Sequence, residues 1–202
     1  MARTKDPAVR TLLLERAGQM LRTREPITLR SLVAGTGVST MAVYTYFGGM
    51  DGLWKALRQE GFTRLDTRLA RVRPTDDPVR DLAALAAGYV ANALEGPDLY
   101  RVMFDATFDL EDAEAADSTL ERLVRAARRA AEAGRFDPGT DPLDLAVRVW
   151  AVGHGVVSLV ATGPLPAEAL GHCVPLLTAV LTAAGDEPAR CRASVAAGWS
   201  LG

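Results

Sequence analysis

The stretch from Thr28 to Leu57, TLRSLVAGTGVSTMAVYTYFGGMDGLWKAL, limits the possible folds of this chain more than any other. Thr28 is a favourable N-cap, and an apolar face follows at Leu29, Leu32 and Val33. Gly35 and Gly37 end that helix, because glycine reaches the left-handed conformation a helix stop needs. Val38 then turns inward, and Ser39 is expected to cap a second short helix, Thr40 to Phe47. Gly48 and Gly49 stop it, and Asp51 falls in the first turn of the next helix, where the helix dipole favours a carboxylate. Helix, glycine turn, helix is the arrangement whose second helix enters the DNA major groove.

The rest of the chain must bury that module. A unit of about 60 residues hides only some 60% of its unfolded surface and is marginal alone. The full 202 residues, 49% of them apolar, suffice for a small module docked on a larger domain. Val, Ile and Thr are sparse beside Ala, Leu and Arg, and apolar residues recur at helical spacing. The chain therefore reads as all-α, with about nine helices and no sheet. No uninterrupted apolar run reaches the roughly 18 residues of a membrane span, and the charged start MARTKDPAVR lacks a signal-peptide apolar stretch. A soluble cytoplasmic protein without membrane association is expected. Cys173 and Cys191 fit reduced thiols better than a disulfide framework.

Net charge near −2 hides an asymmetry. Residues 1–58 carry nine Lys/Arg against four Asp/Glu, a balance of +5, which leaves −7 for the remainder. A basic end on an acidic chain is the footprint of a local polyanion site. Charge alone fits a solvated surface equally well. The helix-turn-helix pattern on the same segment favours the nucleic-acid reading.

Residues 1–6 form a basic arm with Arg3 and Lys5, and Asp6-Pro7 opens a helix to about Thr23. A fourth helix spans about 50–73 and connects the two parts. The break PTDDP, 74–78, marks the boundary, so residues 1–50 form the DNA-binding domain and 74–184 an effector-binding and dimerisation domain. Helices are expected over about 77–94, after Gly96-Pro97, over 120–133, over 143–161 and over 167–184, with an exposed acidic stretch at 109–117. Residues 185–202 show no periodicity and are expected to be a flexible tail.

In the second short helix, Val43 and Phe47 hold to the core while Thr40, Met41, Tyr44 and Thr45 lie on other faces. Eight residues make roughly 12 Å of helix, matched to a major groove about 12 Å wide. Thr40 and Thr45 can bond base edges, and Met41 and Ala42 can meet thymine methyls. Tyr44 and Tyr46 have hydroxyls at a length suited to phosphates; the competing reading makes both half-buried core aromatics. Thr28 and Ser39 stand at the two helix starts, and Arg30 and Lys55 add charge to the clamp.

Gly37-Val38-Ser39, then Val43-Tyr44-Thr45-Tyr46-Phe47, then Leu53, resemble the DNA-binding domain of TetR-family transcriptional regulators over residues 7–58. The resemblance implies a homodimer on a palindromic double-stranded operator, released when a small molecule binds the C-terminal domain. Many members carry a phosphate-contacting lysine at the start of the fourth helix, where this chain has Met50. The helix N-terminus still offers backbone N–H groups there.

Trp150, His154 and Gly155, in WAVGHGVVSL, are similar to a C-terminal subtype of the same family named for Trp, His and Gly. Trp150 and His154 are four residues apart and share a helix face. His154 is either a core or interface histidine, or a ligand-pocket group walled by Trp150 with Tyr100, Met103, Phe104 and Phe108. A metal site with His172 and Cys173 is the weakest option, because no second His/Cys pair stands at ligand spacing. No metal and no cofactor are therefore expected, and the effector is expected to be largely apolar.

The family resemblance places dimerisation on the last two long helices, about 143–161 and 167–184; interior helices of a monomer are the alternative. No phosphate loop, paired-carboxylate site or nucleophile triad is visible, so an enzyme is not expected. The combined reading is a ligand-responsive homodimeric repressor. A helical carrier or enzyme without DNA function, and an activator without an effector, are its rivals.

Overall fold

The computed structural model describes residues 6–161 and 163–200, so the basic-arm residues Arg3 and Lys5 lie outside the described residues. Among the described residues there are ten α-helices and no strand. They are α1 (Pro7–Thr23), α2 (Leu29–Val33), α3 (Thr40–Phe47), α4 (Met50–Leu69), α5 (Pro78–Glu95), α6 (Pro97–Met103), α7 (Glu114–Glu132), α8 (Pro142–Ala161), α9 (Cys173–Ala183) and α10 (Pro188–Gly198). A 3-10 turn, Ala167–His172, precedes α9. The chain divides into two compact units, one of residues up to 63 with 96–113, the other of 64–95 with 114 onward. α4 contributes residues to both.

In the first unit, the Asp6 carboxylate accepts the Ala8 N–H at 2.9 Å, with Pro7 at the first helical position of α1. Thr28 and Ser31 cap α2 reciprocally, serine standing where glutamate or glutamine is usual. α3 ends on Gly48, whose φ of 76° suits glycine. Leu13, Ala17 and Met20 of α1 meet Leu32, Val43, Leu53, Leu57 and Val102 in one core. Each such leucine or methionine stabilises the unit by about 1.5–3 kcal/mol on burial. α4 starts hard against the end of α3: a Cβ on Gly52 would lie 1.6 Å from the Phe47 carbonyl oxygen. The same helix receives α6 at Gly61, where a Cβ would lie 2.2 Å from Met103 Cγ.

The second unit is built around α5, against which α7, α8 and α10 pack. Its buried face uses Leu82, Leu85, Ala86, Val90 and Ala93, and the small residues let the neighbouring helices approach. Arg135 ties the chain together at one end. Its guanidinium pairs with both Asp186 carboxylate oxygens at 2.7 Å, with Asp77 at 2.8 Å and with Ser194 Oγ at 3.1 Å. Arg135 and Asp186 are each 1% exposed at the side chain, so the pair survives only because its donors and acceptors are matched. Burial would raise the Asp77 carboxyl pKa, but bonds from Ser194, the Arg80 N–H and Arg135 hold it below the usual value.

Four expectations need correction. α4 ends at Leu69 rather than 73. α7 begins at Glu114, six residues before Leu120, because Glu114 and Asp117 in a first turn complement the helix dipole. The helix expected over 167–184 splits at Cys173; Pro175 lacks an N–H and is tolerated only near a helix start. Residues 188–198, expected within a flexible tail, form α10. Glu187 caps it through the Ala189 and Arg190 N–H groups, and Cys191, Ser194, Val195 and Gly198 are buried. A Cβ on Gly198 would lie 2.1 Å from the Arg80 carbonyl oxygen. That face is made of small and polar residues, which hydrophobic periodicity does not detect.

α8 is the one described helix long and apolar enough to cross a membrane, at 20 residues and a mean hydropathy of 1.5. Leu145, Ala146, Val149, Gly153 and Val157 form its buried face. Leu143, Val147 and Ala151 lie exposed along a second stripe at four-residue spacing, and Leu159 follows eight residues after Ala151.

Candidate nucleic-acid interface and ligand site

α3 is fixed by one fully buried residue, Val43, while its other faces turn outward. Met41 is 64% exposed and Tyr44 51%, high values for large apolar side chains. Thr45 is exposed, Thr40 is half-buried, and Ala42 packs partly on the core. The Thr45 hydroxyl donates to the Met41 carbonyl at 2.9 Å, leaving its lone pairs outward. The Tyr44 ring runs beside Gly49, 3.7 Å from where a Cβ would sit.

Tyr46 behaves differently from Tyr44. It is half-buried, and its hydroxyl oxygen accepts the Asp6 backbone N–H at 2.8 Å. The core alternative therefore describes Tyr46 and not Tyr44. Ser39 occupies the N-cap position of α3, but its side chain makes no cap hydrogen bond, contrary to expectation. Ser39 is an exposed residue. Thr28 is exposed, with its hydroxyl accepting the Ser31 N–H at 3.1 Å. Arg30 is exposed on α2. Lys55 does not stand alone: its ammonium lies 3.2 Å from Asp109. Arg10, absent from the expected set, lies over the Phe47 ring at 5.5 Å and pairs with Glu111 at 2.8 Å. Only the fold could bring residues a hundred positions apart together.

The six residues expected around a ligand fall in the two units. Tyr100, Met103, Phe104 and Phe108 belong to the first, where Tyr100 and Met103 are buried. Phe104 meets the Tyr100 ring at 5.1 Å and the Phe62 ring at 5.8 Å, and Phe108 stacks on Trp54 at 5.9 Å. An open cleft of about 480 Å³ in that unit is lined by Met20, Ile27, Trp54 and Val102, with Arg24 and Arg101 among its charged groups.

Trp150 and His154 belong to the second unit, their rings edge-to-face at 6.0 Å. Sequence reasoning missed the third member, Tyr89, whose hydroxyl lies 2.7 Å from His154 Nδ1. Burial lowers the His154 pKa, favouring neutral imidazole at neutral pH. The result is an aromatic group with a hydrogen-bonded polar centre, the composition of small-molecule pockets. Among the described residues no three His, Cys, Asp or Glu side chains cluster as a metal site. Burial pushes the Cys173 and Cys191 thiols up to about 11, which leaves them protonated.

Residues 82–172 match the family described as tetracyclin repressor-like, C-terminal domain. The whole chain is similar to the structure of a protein with unknown function from Rhodococcus sp. RHA1, at 27% identity and a TM-score of 0.76, covering 92% of this chain and 100% of that one. It is similar to the TetR family transcriptional regulator PfmR from Thermus thermophilus at 19% identity and a TM-score of 0.65, covering 82% and 96% of the two chains. It is similar to SmeT, the repressor of the Stenotrophomonas maltophilia multidrug efflux pump SmeDEF, at 24% identity and a TM-score of 0.64, covering 86% and 89%. No curated protein matches the sequence. None of these descriptions names a Trp-His-Gly subtype.

Proposed function

We propose that this chain is a TetR-family transcriptional regulator, a homodimeric, cytoplasmic repressor released from a palindromic operator by a small-molecule effector; the match of residues 82–172 to the tetracyclin repressor-like C-terminal domain supports the family. The observation that carries the reading is α3, a two-turn helix anchored by Val43 that presents Met41, Tyr44 and Thr45 outward. In the proposed complex α3 lies in the major groove. Thr40, Met41, Ala42 and Thr45 face bases there, while Ser39, Tyr44 and Arg30 face the backbone. Thr28 and Tyr46 belong to the supporting shell, each already bonded within the protein, and Lys55 adds charge to the phosphate clamp.

Dimerisation is proposed through α8 and α9. The exposed residues Leu143, Val147, Leu159 and Leu176 make an apolar surface unusual for a monomer. Two copies would set their α3 helices about 34–36 Å apart, or a multiple of that. The effector is proposed to be a largely apolar molecule with one hydrogen-bonding group, recognised by Trp150, His154 and Tyr89. Tyr100, Met103, Phe104 and Phe108 act with the α4 face of the first unit. SmeT, a repressor of similar fold, has been solved with triclosan, which supports an apolar ligand class. The effector can shift binding only by its differential affinity for the two conformations.

Selection of bound sequences from random DNA, with and without a panel of apolar metabolites, tests the whole reading. Enrichment of a palindrome that a metabolite abolishes is the expected result. No enrichment, with weak binding insensitive to salt, would identify a carrier or enzyme instead.

A further inference from the structure

We propose that the acidic segment 105–112 is an internal competitor for the basic groups of the helix-turn-helix unit, holding that unit electrically neutral until DNA displaces it. The inference rests on the DNA-binding reading above. Its starting point is charge. Residues 1–63 carry nine Lys/Arg and five Asp/Glu, an excess of +4. Residues 96–113 carry one Arg and five Asp/Glu, a balance of −4. Both belong to one compact unit, so the basic excess that marks the polyanion site is cancelled within it.

Two named contacts make half of the cancellation. Glu111 pairs with Arg10 at 2.8 Å, and Asp109 pairs with Lys55 at 3.2 Å. Lys55 is one of the proposed phosphate-clamp residues. The Arg10 guanidinium also lies over the ring of Phe47, the last residue of the reading helix. The carboxylates thus occupy the kind of partner position a phosphate would take.

Contacts that use no carboxylate hold the segment in register. Arg58 Nε donates to the Met103 carbonyl at 2.8 Å, and the same guanidinium reaches the Phe108 carbonyl. Phe108 stacks on Trp54, and the Asp112 N–H donates to Gln59 Oε1 at 3.0 Å. Residues 54, 55, 58 and 59 therefore receive the segment along neighbouring positions of α4. The anchoring uses carbonyls, an amide and a ring; the two acids are spent on the two cations.

Exposed ion pairs of this kind are weak and screened by salt, so an operator duplex, whose base contacts add to its phosphate contacts, can replace them. While they persist, Arg10 and Lys55 release no counterions from DNA. The clasp lowers affinity for any duplex, and its cost is recovered only where base contacts add to the phosphate term.

The test is the full-length double variant Asp109→Asn/Glu111→Gln, titrated with a random-sequence duplex over a range of salt. Two freed cations should steepen the log-log salt slope by about 1.8. The affinity lost between about 50 and 200 mM salt should then be about tenfold larger than for the unsubstituted protein, with tighter binding at the low end. A control of equal charge change in the second unit, Glu132→Gln/Glu168→Gln, should leave the slope in place. Circular dichroism establishes that both variants are folded. Equal slopes for variant and parent, or an equal gain from the control, overturn the clasp while leaving DNA binding intact. Absence of salt-dependent binding by parent and variant alike removes the DNA reading, and the clasp with it.

Discussion

The Tyr46 hydroxyl oxygen accepts the Asp6 backbone N–H at 2.8 Å, tying the last turn of α3 to the first turn of α1. Tyr44, two residues earlier, is 51% exposed. The two tyrosines should therefore separate by mutation. Tyr46→Phe should cost about 1 kcal/mol of stability, the worth of one hydrogen bond. Tyr44→Ala should weaken operator binding at an unchanged melting temperature. A melting temperature that falls together with affinity would assign Tyr44 to the core.

Gly52 and Gly61 both lack room for a side chain, but for different reasons. A Cβ at Gly52 meets the Phe47 carbonyl oxygen at 1.6 Å, a backbone atom that cannot move alone. A Cβ at Gly61 meets Met103 Cγ at 2.2 Å, part of a flexible side chain. Gly52→Ala should cost roughly 3 kcal/mol or more and displace α3, abolishing DNA binding. Gly61→Ala should cost less, about 1–2 kcal/mol. Chemical denaturation of the two variants checks the order, and a reversed order would contradict the packing of α4.

Arg135 neutralises the buried carboxylate of Asp186 and the half-buried one of Asp77. Arg135→Met should cost about 3–5 kcal/mol at neutral pH, because an unpaired buried carboxylate remains. The Asp77 carboxyl is held below its usual 3.8, and that of Asp66 is too, against burial, by Arg122 and Ser118. A depressed carboxyl contributes stability above its unfolded value that is lost as pH falls through the folded one. Stability of the parent should thus decline below about pH 4. Denaturant titrations of the variant at neutral pH and of the parent at several pH values check the two outcomes.

The exposed apolar side chains of α8 and α9 predict a partner surface. Leu143→Glu with Leu176→Glu should convert the dimer to a monomer in analytical ultracentrifugation, since buried unpaired carboxylates oppose association. Both positions are exposed, at 50% and 44%, so the isolated fold should keep its helicity. An unchanged sedimentation coefficient would move the interface elsewhere.

Much of the architecture was legible because it is written locally. Asp6-Pro7, Thr28 and the glycines at 35, 37 and 48 set helix ends through backbone chemistry, and Leu13, Leu32 and Val43 show their burial through spacing. α10 was not legible, since a face of Cys191, Ser194 and Gly198 carries no hydrophobic period and gains meaning only against α5. The start of α7 was hidden by acids that resemble a loop but serve a helix dipole.

The sequence by itself determined an all-helical chain with a helix-turn-helix near its amino end, since caps, glycine stops and apolar periods act over a few residues. The tertiary structure decided which polar groups are already engaged. Tyr46 with Asp6, Lys55 with Asp109, Arg10 with Glu111 and Tyr89 with His154 are separated by 40 to 101 positions along the chain. Such pairings depend on how packed helices bring distant side chains within bonding distance, and no local rule of propensity or spacing contains that information.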